Sequence, residues 1–360
     1  MAKPQTYFPA DYRKARAAFL QACETADLGV TSRLLPGATG PDGKALFLDA
    51  TVIGDHEARD ALLLISGTHG VEGYFGSGVQ TGLLREGLAK RVKAGAKIVL
   101  LHALNPFGFA WNRRVNEDNA DVNRNFVDHK RPPKNPAYDK LADAIAPAAI
   151  TREAFRKANA KLVAYSSKHG AFKLQEAISA GQYAHPNGLY FGGARESWSA
   201  LMLKDVLKEH LSHAKTLTVI DFHTGLGDCG AAEMITEDLP KSAAYKRAKD
   251  LWGTLVQSSE AGESVSAPLT GTIDNAVVKW MKGKELTFAA LEVGTAPIRE
   301  VFDALRKDNW LHAFAKPGAA QAKAIKEEIR AAFYPDTADW KRKVWDHGAQ
   351  SVERALAAIA

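Results

Sequence analysis

Short apolar runs alternate with longer amphipathic stretches along most of this chain, and that alternation restricts the fold more than any other feature. Runs at 45–53 (ALFLDATVI), 61–67 (ALLLISG), 97–104 (KIVLLHAL), 216–222 (TLTVIDF) and 285–293 (ELTFAALEV) have the length and content of strands. ALLLISG and ELTFAALEV are apolar at successive positions, so both faces of each should be covered, and the latter should be central. Stretches at 10–26, 74–90, 137–169, 197–212 and 240–257 suit helices, and AEMIT at 232–236 a short extra strand. Strands interleaved with helices predict an α/β fold. The charged helical part from about 298 is expected to be an outer helical layer on one domain spanning 1–360, not a domain of its own.

Several function classes are set aside by composition and pattern. The net charge is +6, but Lys and Arg are scattered among Asp and Glu, with no basic block carrying interleaved aromatics. Nucleic acid is therefore not an expected partner. No G-x-x-x-x-G-K-[ST] occurs, which removes the usual phosphate loop. No stretch has the apolar length of a membrane span, and the first twenty residues lack the apolar core of a secretory signal, so a cytoplasmic protein is expected. Cys23 and Cys229 are expected to be free thiols in a reducing compartment. Cys229 lies six residues beyond His223, yet its setting is that of a small inert residue in a glycine-rich loop.

Three polar clusters share one position in the pattern. GTHGVEG follows the strand at 61–67, HTGLG follows the strand at 216–222, and LEVGT ends the strand at 285–293. In open α/β sheets ligands gather at the carboxyl ends of strands. His69 and Glu72 form H-x-x-E, and His223 supplies a distant third donor; imidazole nitrogen and carboxylate oxygen suit zinc, and three protein ligands leave a position for water. The competing histidines have other settings. His102 lies inside an apolar strand and is expected to be a hydrogen-bonded core residue. His129 and His185 lie in two long irregular stretches, 105–136 and 178–197, and could touch substrate.

Taken in order, HGVE at 69–72, NPFGFAWNRR at 105–114, DVNRNF at 121–126, DFHTGLG at 221–227 and LEVGT at 291–295 resemble the zinc carboxypeptidase family, whose clan includes succinylglutamate desuccinylase and aspartoacylase. GQYAHPNGLYFGG and DFHTGLG further resemble an uncharacterised bacterial branch of that clan, known only as a domain of unknown function. The resemblance implies a three-layer α/β/α fold with a central mixed, mostly parallel sheet. It implies one Zn²⁺ per chain on His69, Glu72 and His223, and Glu292 as the general base that takes a proton from the activated water. Arg114, or its neighbour Arg113, would polarise the scissile carbonyl; Asn123 and Arg124 would bind a substrate carboxylate; Asp121 would orient a metal-bound histidine.

General chemistry fits those roles. A carboxylate beside an activated water can collect its proton and pass it to a leaving amine. Arg meets a carboxylate bidentately, and a ligating His commonly donates its other N–H to a carboxylate. The expected activity is hydrolysis of an amide in a small peptide or peptide-like substrate bearing a carboxylate. The alternative is deacylation of an N-acyl amino acid, and the last is a binding protein without catalysis on the same fold. Where secreted carboxypeptidases carry N-P-D-G this chain has N-P-F-G, and Tyr183 and Tyr190 stand only as loop candidates for a tyrosine that caps substrate. Nothing in the pattern sets the oligomeric state.

Overall fold

The computed structural model describes residues 3–316 and 318–359. Residues 1, 2, 317 and 360, which the expected domain span includes, lie outside the described residues. The strands are β1 (Val30–Thr39), β2 (Ala45–Gly54), β3 (Asp60–Ile65), β4 (Ala96–His102), β5 (Thr216–Thr224), β6 (Ala232–Thr236), β7 (Val256–Ser258) and β8 (Glu285–Val293). They form one sheet in the order β1-β2-β4-β3-β5-β8-β6-β7. The pairs β3–β4, β3–β5, β5–β8 and β6–β7 are parallel, and the pairs β1–β2, β2–β4 and β6–β8 antiparallel, so the sheet is mixed with a parallel centre.

The helices are α1 (Tyr12–Thr25), α2 (Gly73–Arg85), α3 (Pro106–Ala110), α4 (Pro136–Ile145), α5 (Arg152–His169), α6 (Ala171–Ser179), α7 (Trp198–Leu211), α8 (Ala243–Trp252), α9 (Ile273–Trp280), α10 (Ile298–Ala313), α11 (Ala322–Phe333) and α12 (Ala338–Ala357). Side-chain oxygens start several of them: Asp11, Thr151, Ser197, Ser242, Thr272 and Thr337 each accept a backbone N–H from the first turn.

Period-two alternation assigns each strand residue to a face. Leu62, Leu64, Ile220, Phe222, Ala289 and Leu291 pack with α1, α2, α8 and α12. Leu63, Ile65, Leu217, Val219, Leu286 and Phe288 pack on the other face with α7 and α9. Helices thus cover both faces, giving the three-layer α/β/α arrangement. A third apolar cluster joins α4, α5, α6, α10 and α11 beside the sheet.

The C-terminal helices, expected as one outer layer, divide between these clusters. Trp340, Val344 and Val352 of α12 lie in the main core, whereas Val301, Leu305 and Phe333 of α10 and α11 close the third cluster. Five elements escape the sequence pattern: β1, α3, α6, β7 and α9. Strand β1 is an edge whose pairing with β2 becomes irregular between Leu34 and Thr39. Pro36 and Gly37 stand in that break, and such residues are tolerated at edges.

Candidate metal centre

The strands β3, β5 and β8 are adjacent and parallel, so their carboxyl ends open on one edge of the sheet. On β5 the face that carries Leu217 and Val219 in the core continues as Asp221 and His223; on β8 the face of Phe288 continues as Ala290 and Glu292. His223 is paired in register with Glu292. The same two-residue repeat that builds the core therefore sets a histidine and a glutamate side by side where the apolar contacts end.

His69 and Glu72 arrive from β3. The chain leaves the strand and makes a single 3₁₀ turn, Gly70–Glu72, before α2 begins. Gly70 is required there: a Cβ at this position would stand 2.0 Å from the Gly108 carbonyl carbon of α3. Arg113 and Arg114 carbonyls accept the Val71 and Gly70 N–H groups at 2.8 and 3.2 Å and lock the turn.

His69, Glu72 and His223 are 4%, 2% and 3% exposed, and one ligand atom from each lies within 4.8 Å of the others. His69 Nδ1 is 3.0 Å from Glu72 Oε1, His223 Nδ1 is 3.1 Å from Glu72 Oε2, and the two Nδ1 atoms are 3.2 Å apart. The opposite ring nitrogens are both engaged. His69 Nε2 lies 3.1 Å from Asp121 Oδ1, and His223 Nε2 lies 2.8 Å from Asp221 Oδ2. A carboxylate can only accept, so each Nε2 carries its hydrogen and each Nδ1 presents a lone pair. Two lone pairs and a carboxylate then converge with no hydrogen of their own to share. That constellation asks for a cation, and the separations approach the roughly 3.3 Å edge of a tetrahedron with bonds of about 2.0–2.1 Å.

The charges agree. Burial works to lower the pKa of His223, but Asp221 and then Glu72 outweigh it and hold the imidazole well above its ordinary range. Burial works to raise Glu72, yet His69 and His223 keep it lowered. Asp121 is likewise held well below the carboxylate range, against burial, chiefly by Arg114 and then by His69 and Arg124. Glu292, 8% exposed, is pushed up to about 8 by burial and by the Glu72 carboxylate. One of its oxygens accepts the Leu226 N–H at 2.9 Å. Gly225, at φ +135°, allows the backbone to turn at that point.

His69, Glu72, His223 and Glu292 line a cavity of about 900 Å³ that also takes in Arg114, Asn123, Arg124 and Tyr190. Arg114 donates from Nε to Asp121 and from a terminal nitrogen to Glu72, at 2.9 and 3.1 Å. Arg113 is turned away, paired with Asp308 at 3.2 Å and donating to Asn119. Arg124 donates to the Ser179 and Asn123 carbonyls, at 2.8 and 2.7 Å, which leaves three of its five N–H groups without an acceptor among the described residues. The Asn123 side-chain oxygen accepts the Ile273 N–H at 2.8 Å and joins this wall to α9.

Tyr190, a left-handed residue at φ +54°, lies against both arginines, with guanidinium carbons 5.3 and 5.8 Å from its ring centre. Tyr183 donates instead to the Arg124 carbonyl. His129 and His185, placed by the sequence in loops where they could touch substrate, do not border the cavity: His129 bonds the Asn125 carbonyl and His185 pairs with Asp139 near the surface. His102 is a core residue, bonded to Ser77, stacked on Phe19 and lowered to about 4 by burial. Cys229 is exposed and free. Asp221 escaped sequence reasoning, although its place two residues before His223 on a strand, hence on the same face, was a usable signal. Its carboxylate also accepts the Thr68 hydroxyl at 2.8 and 3.0 Å.

A mixed sheet covered by helices on both faces, with a His–Glu–His cluster that could hold a metal at the carboxyl ends of its central strands, defines the class. Residues 8–347 match the family described as "Protein of unknown function (DUF2817)", and the chain belongs to that family. This is the branch to which its loop motifs pointed. No curated protein matches the chain by sequence. Among solved structures it is similar to carboxypeptidase A from Helicoverpa armigera, at 12% identity over 97% of this chain and 74% of that one, with a TM-score of 0.49. It is also similar to succinylglutamate desuccinylase from Chromobacterium violaceum, at 16% identity over 89% and 74% of the two chains and a TM-score of 0.39. An aspartoacylase family protein from Mesorhizobium loti matches at 15% identity over 80% and 67%, with a TM-score of 0.39. No described helix is long and apolar enough to cross a membrane.

Proposed function

We propose that the protein is a zinc-dependent hydrolase that cleaves an amide bond in a small peptide or peptide-like substrate bearing a carboxylate. The observation that carries this reading is the convergence of three electron-pair donors, His69 Nδ1, His223 Nδ1 and Glu72, on the wall of a cavity that also holds Glu292 and Arg124. When bound, zinc polarises a carbonyl and lowers the pKa of a water to about 7.

The chain's own residues do the rest. Asp121 and Asp221 fix the two rings so that Nδ1 faces inward. Glu292, with one oxygen held by the Leu226 N–H, has the other free to take a proton from the attacking water and return it to the leaving nitrogen. Arg114, aimed by Asp121, offers positive charge where the carbonyl oxygen becomes an oxyanion. The free N–H groups of Arg124 take the substrate carboxylate and, with Asn123, place the scissile bond.

The test is metal content by mass spectrometry, followed by N-acyl dipeptides and N-acyl amino acids assayed for amine release. About one zinc per chain and chelator-sensitive cleavage are expected. A purified protein that binds no divalent metal tightly, or that is metal-loaded and cleaves nothing in either panel, refutes the proposal; cleavage confined to simple N-acyl amino acids makes it a deacylase.

A further inference from the structure

Two acidic side chains in the same cavity have no part in the chemistry above. Glu237 follows the last residue of β6, and Asp274 lies in the first turn of α9; both border the cavity. Asp274 is 7% exposed, and its one hydrogen bond among the described residues is a long one, 3.3 Å, from the Glu237 N–H to Oδ2; none of those residues donates to Oδ1. Glu237 accepts from the Asn275 amide at 2.6 Å. No ion pair of the described residues includes either one, and the charges that act on Asp274 are the like charges of Glu237 and Asp238. A carboxylate as enclosed as that of Asp274 ordinarily has a cation beside it, and Glu237 next to it is half-buried.

Their place relative to the carboxylate-binding wall is fixed by backbone. Asn123 Oδ1 accepts the N–H of Ile273, the residue before Asp274, and Arg124 is the cation that acts on Glu237. A substrate's terminal residue has three groups on its Cα: the scissile nitrogen, the carboxylate and the side chain. With the nitrogen at the metal centre and the carboxylate on Arg124, the side chain is left for the wall of Ile235, Leu269 and Phe288, where Glu237 and Asp274 also lie.

We infer that Glu237 and Asp274 select substrates whose terminal residue carries a long, apolar-stemmed side chain with a cationic end, of the lysine or arginine type. This inference rests on the amide-hydrolase reading. The apolar residues take the methylene stem, and the two carboxylates take the ammonium or guanidinium head. Without a cation, burial and like charges favour a proton on the pair: Glu260 and then Asp238 add to burial at Glu237, raised to about 7, and Glu237 and then Asp238 add to it at Asp274, raised well above its ordinary value. A cationic head would take that proton's place. The chain's net charge is +6, so a negative cavity floor runs against the overall sign and is not a by-product of an acidic surface.

The test compares lysine with norleucine, which have the same stem and differ in the charge. The zinc-loaded protein is given N-benzoylglycyl dipeptides ending in Lys, Arg, norleucine, Phe and Glu, and binding of L-lysine and L-norleucine is measured by calorimetry. The expected preference for Lys over norleucine is about 10–100-fold in kcat/KM, the range of one or two charge-assisted hydrogen bonds. Asp274→Asn and, separately, Glu237→Gln should shrink that ratio towards about 3-fold or less, with circular-dichroism melts checking that each variant folds. Cleavage of neutral and cationic ends alike overturns the inference and leaves the hydrolase reading standing. Absence of all cleavage with L-lysine still bound more tightly than L-norleucine overturns the hydrolase reading and keeps the cation pocket. Absence of both cleavage and preference overturns the two together.

Discussion

Asp221 is the residue through which the metal proposal is most sharply tested, because it touches no metal and acts only by holding His223. Its Oδ2 receives the His223 Nε2 hydrogen at 2.8 Å, and its carboxylate receives the Thr68 hydroxyl. In Asp221→Asn an NH₂ group replaces one acceptor, and two arrangements are open. If the amide oxygen keeps the imidazole and Thr68 rotates to accept from the NH₂, the ring stays aimed and only the charge is lost. If the NH₂ faces Nε2, the ring must carry its proton on Nδ1, the atom that should hold the metal. Loss of such a partner ordinarily weakens metal affinity by about 10–100-fold, or roughly 1.4–2.7 kcal/mol, with the second arrangement at the upper end. Thr68→Val removes only the hydroxyl behind Asp221 and should cost no more than a few-fold. Competition for zinc against a fluorescent chelator, on dialysed protein whose folding is confirmed by circular dichroism, measures both. Affinity of Asp221→Asn within about 3-fold of the parent, or a larger loss in Thr68→Val, would show that the ring orientation seen here does not set the site.

Three further outcomes follow from the geometry. Glu292→Gln should keep its zinc and lower kcat by about 10²–10⁴-fold on any substrate that is cleaved, since it removes the proton carrier and no ligand; retained turnover in a metal-loaded variant excludes Glu292 as the base. The same substitution has a pH signature in the metal-free protein. Glu292 is raised in the folded state from 4.5 to about 8, so the stability it lends is complete below pH 4.5 and is lost as pH rises through that window. Glu292→Gln should therefore melt near the parent at pH 4.5 and above it, by on the order of 1 kcal/mol or more, at pH 8; equal differences at both pH values rule out the buried, raised carboxyl. Trp340→Ala should cost about 3–5 kcal/mol in urea unfolding, because a 2% exposed indole that donates to the Gly294 carbonyl at 3.0 Å leaves a cavity in the main core; a loss under about 1 kcal/mol would place α12 outside that core.

The legible part of the molecule was its centre. β3 and β8 are apolar at successive positions because helices cover both their faces, and that continuity survives in one sequence. The three residues that could hold a metal were legible because strand ends and glycines punctuate a chain locally. What was hidden depends on partners far along the chain. β1 pairs only on one side and tolerates Pro36, so it lacks the strand pattern. Glu237 and Asp274 stand 37 positions apart and meet only because the start of α9 is bonded to the residue that follows β6 and to the Asn123 turn. Arg114 borders the cavity and Arg113 does not, and that difference between neighbours rests on Asp308, almost two hundred residues away, which pairs with Arg113. The places of His129 and His185 were open in the sequence because a long polar loop can be tied to its own backbone or to the surface as readily as to a ligand.

The in-register pairing of His223 with Glu292 makes the sheet a measuring device for this site. Lengthening the segment between β6 and β8 by any number of surface residues leaves the spacing of the two side chains as it is. Adding one residue inside β5 or β8 does the opposite: it carries His223 or Glu292 through the plane of the sheet and buries it under α2 and α12. Variation in relatives of this chain should therefore accumulate in the connections, while the strands keep their length to the residue.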